Sequence, residues 1–196
     1  MLNDAEREEL LRVARRTLEH HLQTGHTPVF DTAHTALMER SGAFVSLHDS
    51  QGLLRGCIGT FEADAPLLET VSRMAVAAAT RDPRFPPVKP DELDRLHVEI
   101  SVLSPRRPVS VEDVVVGRDG VHVQRGAARG VLLPQVATSA GWDRETFLAH
   151  TCRKAGLPAD AWRSPETRVE VFTAEVFAEP TGKPTDPTKP TEPAEE

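Results

Sequence analysis

Cys57 is the residue of this chain with the clearest capacity for chemistry, because a thiolate can act as a nucleophile or contact a ligand. It lies in the hexapeptide Leu54-Arg55-Gly56-Cys57-Ile58-Gly59. In an extended strand, residues two apart point the same way, so Arg55 and Cys57 are expected to share one face while Leu54 and Ile58 turn toward a core. A guanidinium beside a thiol favours the thiolate. Cys57 and Arg55 are therefore the candidate catalytic residues, although a free cysteine is equally typical of an apolar core.

The residues around Cys57 could form a site that binds a ligand or one that reacts with it. Glycines in a strand indicate a bend or a close approach to the main chain. A proline-rich segment at residues 82–87 predicts a rigid loop, which is a suitable wall for a cleft. Solvated or structural roles are the ordinary alternative for every polar residue in the set. The candidate ligand-binding residues are Gly56, Gly59, Asp82, Arg84, Glu99 and Gln135.

No general base, metal site or cofactor site is fixed by the sequence. His48, His97 and His122 are the candidate bases for Cys57, and spacing selects none of them. The chain has no HExxH or CxxC pattern, no GxSxG elbow, no P-loop and no dinucleotide fingerprint. We therefore expect no metal and no cofactor.

The composition predicts one soluble globular domain, or one domain with an added lobe. The chain has 196 residues, of which 39% are hydrophobic and 27% charged. Its apolar runs are shorter than the roughly 18 residues that span a bilayer, and its start lacks a signal-like core, so a cytoplasmic protein without a membrane segment is expected. The two cysteines are then free thiols.

The charge balance argues against a nucleic-acid-binding surface. A formal net charge of -7 disfavours attraction of nucleic acid or anionic lipid over the whole surface. Local basic patches remain open at three arginine clusters, although solvated faces explain them as well. The clusters are Arg12/Arg15/Arg16, Arg106/Arg107 and Arg125/Arg129.

The elements that position these residues can be predicted from hydrophobic spacing. A first helix is predicted over residues 4–23, with an Asn3/Glu6 capping box and a stop at Gly25. A second helix is predicted to begin near Pro66, with Asp64 as a possible cap. A third is predicted from Asp143 to Ala155, with Cys152 in the core. Strands are predicted over 43–47, 53–58, 97–103, Val114–Val116, Val121–Val123 and Val169–Ala178. From Pro180 to Glu196 the chain offers no large apolar side chain for burial, which predicts a disordered proline-rich tail.

Several segments in order resemble the AMME syndrome candidate-region protein family, called AmmeMemoRadiSam system protein A in microbes. The hexapeptide matches the family's motif without a change. The further matching segments are Asp82-Pro83-Arg84-Phe85, residues 98–105, residues 132–137, Gly141-Trp142 and Phe147-Leu148. The resemblance runs from about residue 44 to 177.

This resemblance implies an α+β fold with two antiparallel sheets, a larger lobe built from both chain ends, a smaller lobe, and a cleft between them near the hexapeptide. It implies a single AMME-type domain over residues 1–179, a Memo-type protein and a radical-SAM protein as pathway partners, and no established reaction. Two functional hypotheses stay open. One is a cysteine-centred cleft for a small molecule, catalytic or not; the other is a non-catalytic adaptor that docks pathway proteins. RNA association through an arginine patch is a third, less favoured hypothesis.

Overall fold

A computed structural model describes residues 1–180 of the chain. The proline-rich tail expected from Pro180 onward lies outside the described residues, apart from Pro180 itself. The fold is α+β, with two four-stranded antiparallel sheets and flanking helices, as the sequence predicts. Each sheet has its own hydrophobic core, and these two cores define a larger and a smaller lobe.

The larger lobe begins with helix α1 (Asp4–Thr24). Asn3 and Glu6 form the predicted capping box, and Gly25 ends the helix in the left-handed conformation at φ 77°. Its apolar stripe is buried against helix α2 (Leu67–Thr80) and the sheet. Complete burial of each large apolar side chain contributes about 2 kcal/mol, so this stripe fixes α1 on the sheet.

The sheet of the larger lobe contains the residues of chemical interest. Its strands are β1 (Ala43–His48), β2 (Leu54–Thr60), β3 (His97–Leu103) and β8 (Ala174–Ala178), in the order β2-β1-β3-β8. Helix α2 packs on β1 and β2. Val45, Leu47, Val98 and Ile100 are fully buried on the inner face, so the alternate residues of these strands lie on the outer face.

The smaller lobe is inserted between β3 and β8. Its strands are β4 (Arg107–Pro108), β5 (Gly120–Arg125), β6 (Ala128–Leu132) and β7 (Arg168–Phe172). They form a sheet in the order β4-β7-β5-β6. Helices α3 (Pro134–Ser139) and α4 (Arg144–Lys154) pack on the β5 and β6 side of this sheet. Cys152 of α4 is fully buried, as predicted.

Three local predictions are wrong. Residues 169–178 form two strands, β7 and β8, which belong to different sheets because the chain crosses between the lobes at Thr173. Val114–Val116 is not a strand; it follows a short 3-10 helix. Asp64 does not cap α2, since its carboxylate accepts a hydrogen bond from Arg73 and Pro66 occupies the N-cap.

No helix in the described part of the chain is both long and apolar enough to cross a membrane.

Candidate functional site

Cys57 lies in a row of polar side chains on the outer face of the larger sheet. Strand pairing places it directly opposite Ser46 of β1, and Ser46 is in turn opposite Glu99 of β3. Residues opposite each other in adjacent strands point to the same face. Cys57, Ser46 and Glu99 therefore form one row across three strands, with the backbones of Cys57 and Glu99 about 10 Å apart.

The thiol itself is half-buried and accepts a hydrogen bond. The Ser46 hydroxyl donates to Cys57 Sγ at 3.2 Å. Ser46 is a site residue that sequence reasoning missed; the predicted hairpin brings its strand to Cys57, but the register that pairs the two residues depends on a bulge.

The loop after α2 holds the main chain of Cys57 from the other side. The N–H of Cys57 donates to the Asp82 carboxylate at 2.8 Å, and the Arg84 guanidinium donates to the Cys57 carbonyl at 3.2 Å. Arg84 also binds the Asp82 carboxylate with two donors, at 2.6 and 2.9 Å. Both main-chain groups of Cys57 are thus bound by one Asp82–Arg84 pair, which fixes the position of the thiol.

Asp82 and Arg84 differ in exposure and reinforce each other's charge. The Asp82 side chain is 2% exposed and that of Arg84 54% exposed. Hydrogen bonds from Arg84 hold the pKa of the Asp82 carboxyl well below its usual range, with a further contribution from the Cys57 N–H. The pKa of Arg84 is raised, chiefly by Asp82 and to a smaller extent by the Cys57 side chain. The guanidinium next to the thiol is therefore that of Arg84.

Arg55, the arginine expected beside Cys57, is directed elsewhere. A β-bulge changes the register: His48 is opposite Leu54 and Leu47 is opposite Gly56, so Arg55 is the extra residue. Its guanidinium binds Glu92 at 2.9 and 3.1 Å and the carbonyl of Pro86 at 2.9 Å. A bulge changes the direction of a side chain. Arg55 therefore links β2 to the short helix Pro90–Arg95 instead of lying beside Cys57.

The same bulge overturns the expected burial of Leu54 and explains one glycine. Leu54 is 38% exposed rather than in the core, whereas Ile58 packs against the core as expected. A Cβ on Gly56 would meet the Ala78 carbonyl oxygen at 2.3 Å, and one on Gly59 would meet the Phe44 ring at 2.1 Å. The close approach that these glycines permit is to α2 and to Phe44.

No hydrogen bond within residues 1–180 joins a candidate base to the Cys57 thiol. His48 lies on the same face, with Nε2 3.9 Å from the Glu99 carboxylate, and His97 is its cross-strand partner. His122 belongs to the smaller lobe, where its Nδ1 is 3.0 Å from Glu170. Burial lowers the pKa of His122, and the bond to Glu170 only partly opposes that effect.

Two further predicted residues are placed clearly. Gln135 is exposed in α3 of the smaller lobe, and its main-chain carbonyl accepts a bond from Thr138. The contacts that hold Cys57 therefore do not include it. Cys152 is buried, and burial raises the pKa of its thiol.

The described residues contain no group of three or more His, Cys, Asp or Glu side chains arranged to hold a metal ion.

A cavity of about 550 Å³ does lie between the lobes, but it is separate from the hexapeptide. We call it the interlobe cavity. It is lined by Arg40, Ser41, Gly42, Phe61, Ala63, Leu103, Ser104, Pro105, Arg106, Gln124, Arg168, Glu170 and Phe172. The cleft expected between the lobes near the hexapeptide is thus present, but residues 54–59 are not part of its lining, which β2's continuation reaches at Phe61, two residues after Gly59.

Comparison with known proteins places this architecture among related chains. A model of the AMMECR1 family matches residues 11–177. A protein of Methanothermobacter thermautotrophicus is 49% identical, over 87% of this chain and 92% of its own length. A protein of Methanopyrus kandleri is 42% identical, over 97% and 96% respectively. The solved structure of an uncharacterised Pyrococcus horikoshii protein matches with a TM-score of 0.78 at 45% identity, covering 88% of this chain and 90% of that one.

Proposed function

Since the chain belongs to the AMMECR1 family, we propose that it serves the AmmeMemoRadiSam system through a small-molecule site in which Cys57 is the reactive or ligand-contacting group. The observation that carries the proposal is the way Cys57 is held. Ser46 donates to the sulfur, while Asp82 and Arg84 bind the main chain on either side of it. A side chain needed only as apolar filler does not require a donor to sulfur or a charged pair at its backbone.

The site suits a ligand with a partial or full negative charge near the sulfur. The Arg84 guanidinium is more than half exposed, so donors not used by Asp82 and the Cys57 carbonyl face solvent. Asp82 neutralises part of its charge, but the Asp82 carboxylate itself is buried and inaccessible to a ligand. A ligand that approaches Cys57 from solvent therefore meets the cation before the anion.

Alkylation with two probes of different charge tests this proposal. The thiolate displaces iodide from iodoacetamide, which is neutral, or from iodoacetate, which is anionic. We expect native Cys57 to react with both, and Arg84→Gln to lower the rate ratio of iodoacetate to iodoacetamide about fivefold, which corresponds to about 1 kcal/mol of charge attraction. Site-resolved mass spectrometry measures both rates on the same sample.

The chain supplies its own controls for this experiment. Cys152 is fully buried and should stay unmodified in the native protein. Arg55→Gln removes the hexapeptide arginine, whose guanidinium binds Glu92, and should leave the rate ratio unchanged. If Cys57 reacts only after unfolding, the thiol is structural. Retention of Memo-type or radical-SAM partners by Cys57→Ser would then favour the adaptor role.

A further inference from the structure

The interlobe cavity concentrates basic side chains in a protein whose net charge is -7. Arg40 lines the cavity from the larger lobe, and Arg106 lines it from the segment that crosses between the lobes. Arg168 lines it from β7 of the smaller lobe. The lining contains one carboxylate, that of Glu170. Three guanidinium groups therefore face one acid across a concave surface.

Glu170 does not cancel this positive charge, because its carboxylate is already bound. One oxygen is 3.0 Å from His122 Nδ1, and the other forms an ion pair with Arg168 Nη2 at 2.8 Å. Burial lowers the pKa of His122, which favours the neutral imidazole. Glu170 thus offsets one of the three positive charges, and the Arg168 side chain is 60% exposed, so it can still contact a ligand.

Arg40 and Arg106 also keep donors for a ligand. Arg40 donates to the main-chain carbonyl of Asp64, which carries no formal charge. The nearest acid to Arg106 is Glu62, at 3.8 Å, a separation too long for a hydrogen bond. The Arg106 side chain is 33% exposed, so its guanidinium is neither fully solvated nor fully paired. Such a guanidinium gains from binding an oxyanion with its planar fork of donors.

The cavity also has a rigid aromatic surface. The rings of Phe61 and Phe172 are in edge contact, with centroids 5.7 Å apart. Phe172 is 2% exposed, and its ring lies where a Cβ on Gly120 would be, at 2.3 Å. This contact fixes the Phe172 ring from behind, and the half-buried Phe61 ring supplies apolar surface next to the arginines.

We propose that the interlobe cavity binds a small organic anion, with a phosphate or carboxylate held by Arg106 and Arg168 and an aromatic or apolar part against Phe61. A cavity of about 550 Å³ has the size of metabolite sites. The concave shape, closed by a lobe on each side, fits a small molecule better than an RNA chain, which needs an extended basic surface. This site goes beyond the Cys57 proposal and stands without it.

Calorimetric titration with phenyl phosphate tests the site, using phenol and inorganic phosphate as partial probes. We expect phenyl phosphate to bind more tightly than either, because only it supplies both the anion and the ring. Arg106→Gln and Arg168→Gln should each weaken binding at least tenfold, and Arg106→Lys should weaken it less than Arg106→Gln. Thermal melts of each variant establish that it is folded.

Arg163→Gln is the matched control for Arg168→Gln. Arg163 also pairs with a glutamate, Glu145 at 2.9 Å, and has similar exposure, but it lies outside the cavity. Arg163→Gln should therefore leave the affinity for phenyl phosphate unchanged. Cys57→Ser should also bind phenyl phosphate normally, so this proposal and the Cys57 proposal can fail separately. Equal affinity in Arg106→Gln, Arg168→Gln and Arg163→Gln would overturn the site, as would tighter, arginine-dependent binding of a short oligouridylate.

Discussion

Arg55 of the hexapeptide and Arg84 of the loop after α2 hold different parts of the structure. Arg55 is 17% exposed and forms a two-donor ion pair with Glu92, whose pKa it lowers. Arg84 is mostly exposed and binds Asp82 and the Cys57 carbonyl. The half-buried Arg55–Glu92 pair fixes β2 to the next helix, and the more exposed Arg84 leaves a cation at the thiol.

Asp82→Asn should destabilise the fold by about 2 kcal/mol at neutral pH, because it removes a charged acceptor from two residues. The amide oxygen can still accept from the Cys57 N–H, but the ion pair with Arg84 is lost. Denaturant unfolding of the wild type and the variant at pH 7 measures the difference in unfolding free energy.

The pH dependence gives this prediction a second, independent readout. The pKa of Asp82 is lower in the folded chain than the value of about 3.9 expected when unfolded. The carboxylate's contribution is therefore complete above about pH 5 and is lost as the pH falls through the folded pKa. The difference in unfolding free energy between the wild type and Asp82→Asn should become smaller as the pH falls from 5 to 3. Asp31→Asn, at an exposed carboxylate, is the control and should show a small, pH-independent difference.

At the level of elements, β2 is positioned by its contact with α2 as much as by its pairing with β1. Gly56 faces α2, where the Ala78 carbonyl occupies the space that a side chain would need. The Asp82 loop begins two residues after the end of α2 at Thr80. The spacing between β2 and α2 therefore also sets the distance from Cys57 to Asp82.

Gly56→Ala should destabilise the protein by about 3 kcal/mol, the upper range for overpacking, because the methyl group meets backbone that cannot rotate away. Gly126→Ala is the comparison. The φ of +57° at Gly126 is unfavourable for alanine, but an added Cβ would have no other atom within 4 Å, so the substitution should lower the unfolding free energy by about 1 kcal/mol. Unfolding in denaturant separates the two. Gly56→Ala should also change the alkylation rate of Cys57. Equal stability of the two variants would refute the close packing inferred at Gly56.

Local sequence signals predicted the elements well where one residue type has one dominant physical role. The Asn3/Glu6 capping box and the stop at Gly25 both occur at α1 as expected. The alternation in 97–103 also produced the expected strand. These features depend on interactions within a few residues, and the local sequence contains those interactions in full.

Features that depend on distant partners could not be predicted in the same way. The bulge at Arg55 shows only when β2 is paired with β1, and it moves the guanidinium from Cys57 to Glu92. The uninterrupted β pattern of residues 169–178 contains no sign that Thr173 separates two sheets. Among the site residues, Asp82 and Arg84 do meet Cys57, while Gln135 lies on the smaller lobe.

In the whole molecule, the two lobes are joined by a pair of crossing segments and by an aromatic cluster. Ser104, leaving the larger lobe, exchanges two hydrogen bonds with the returning Thr173, both at 2.9 Å. Phe61 contacts Phe44 of the larger sheet, with ring centroids 4.9 Å apart, and Phe172 of the smaller sheet. The Phe61 ring is thus the apolar contact that ties one sheet to the other beside the interlobe cavity.

Phe61→Ala should therefore loosen the two lobes relative to each other, with a total loss of about 2 kcal/mol for a half-buried aromatic side chain. Hydrogen exchange read by mass spectrometry should rise in β7 and β5, which adjoin Phe172, and stay unchanged in α1. Phe30→Ala provides the contrast, because Phe30 packs on the core of the larger lobe alone and its loss should raise exchange there. If both variants accelerate exchange in the same segments, the lobes unfold as one unit and Phe61 has no special role between them.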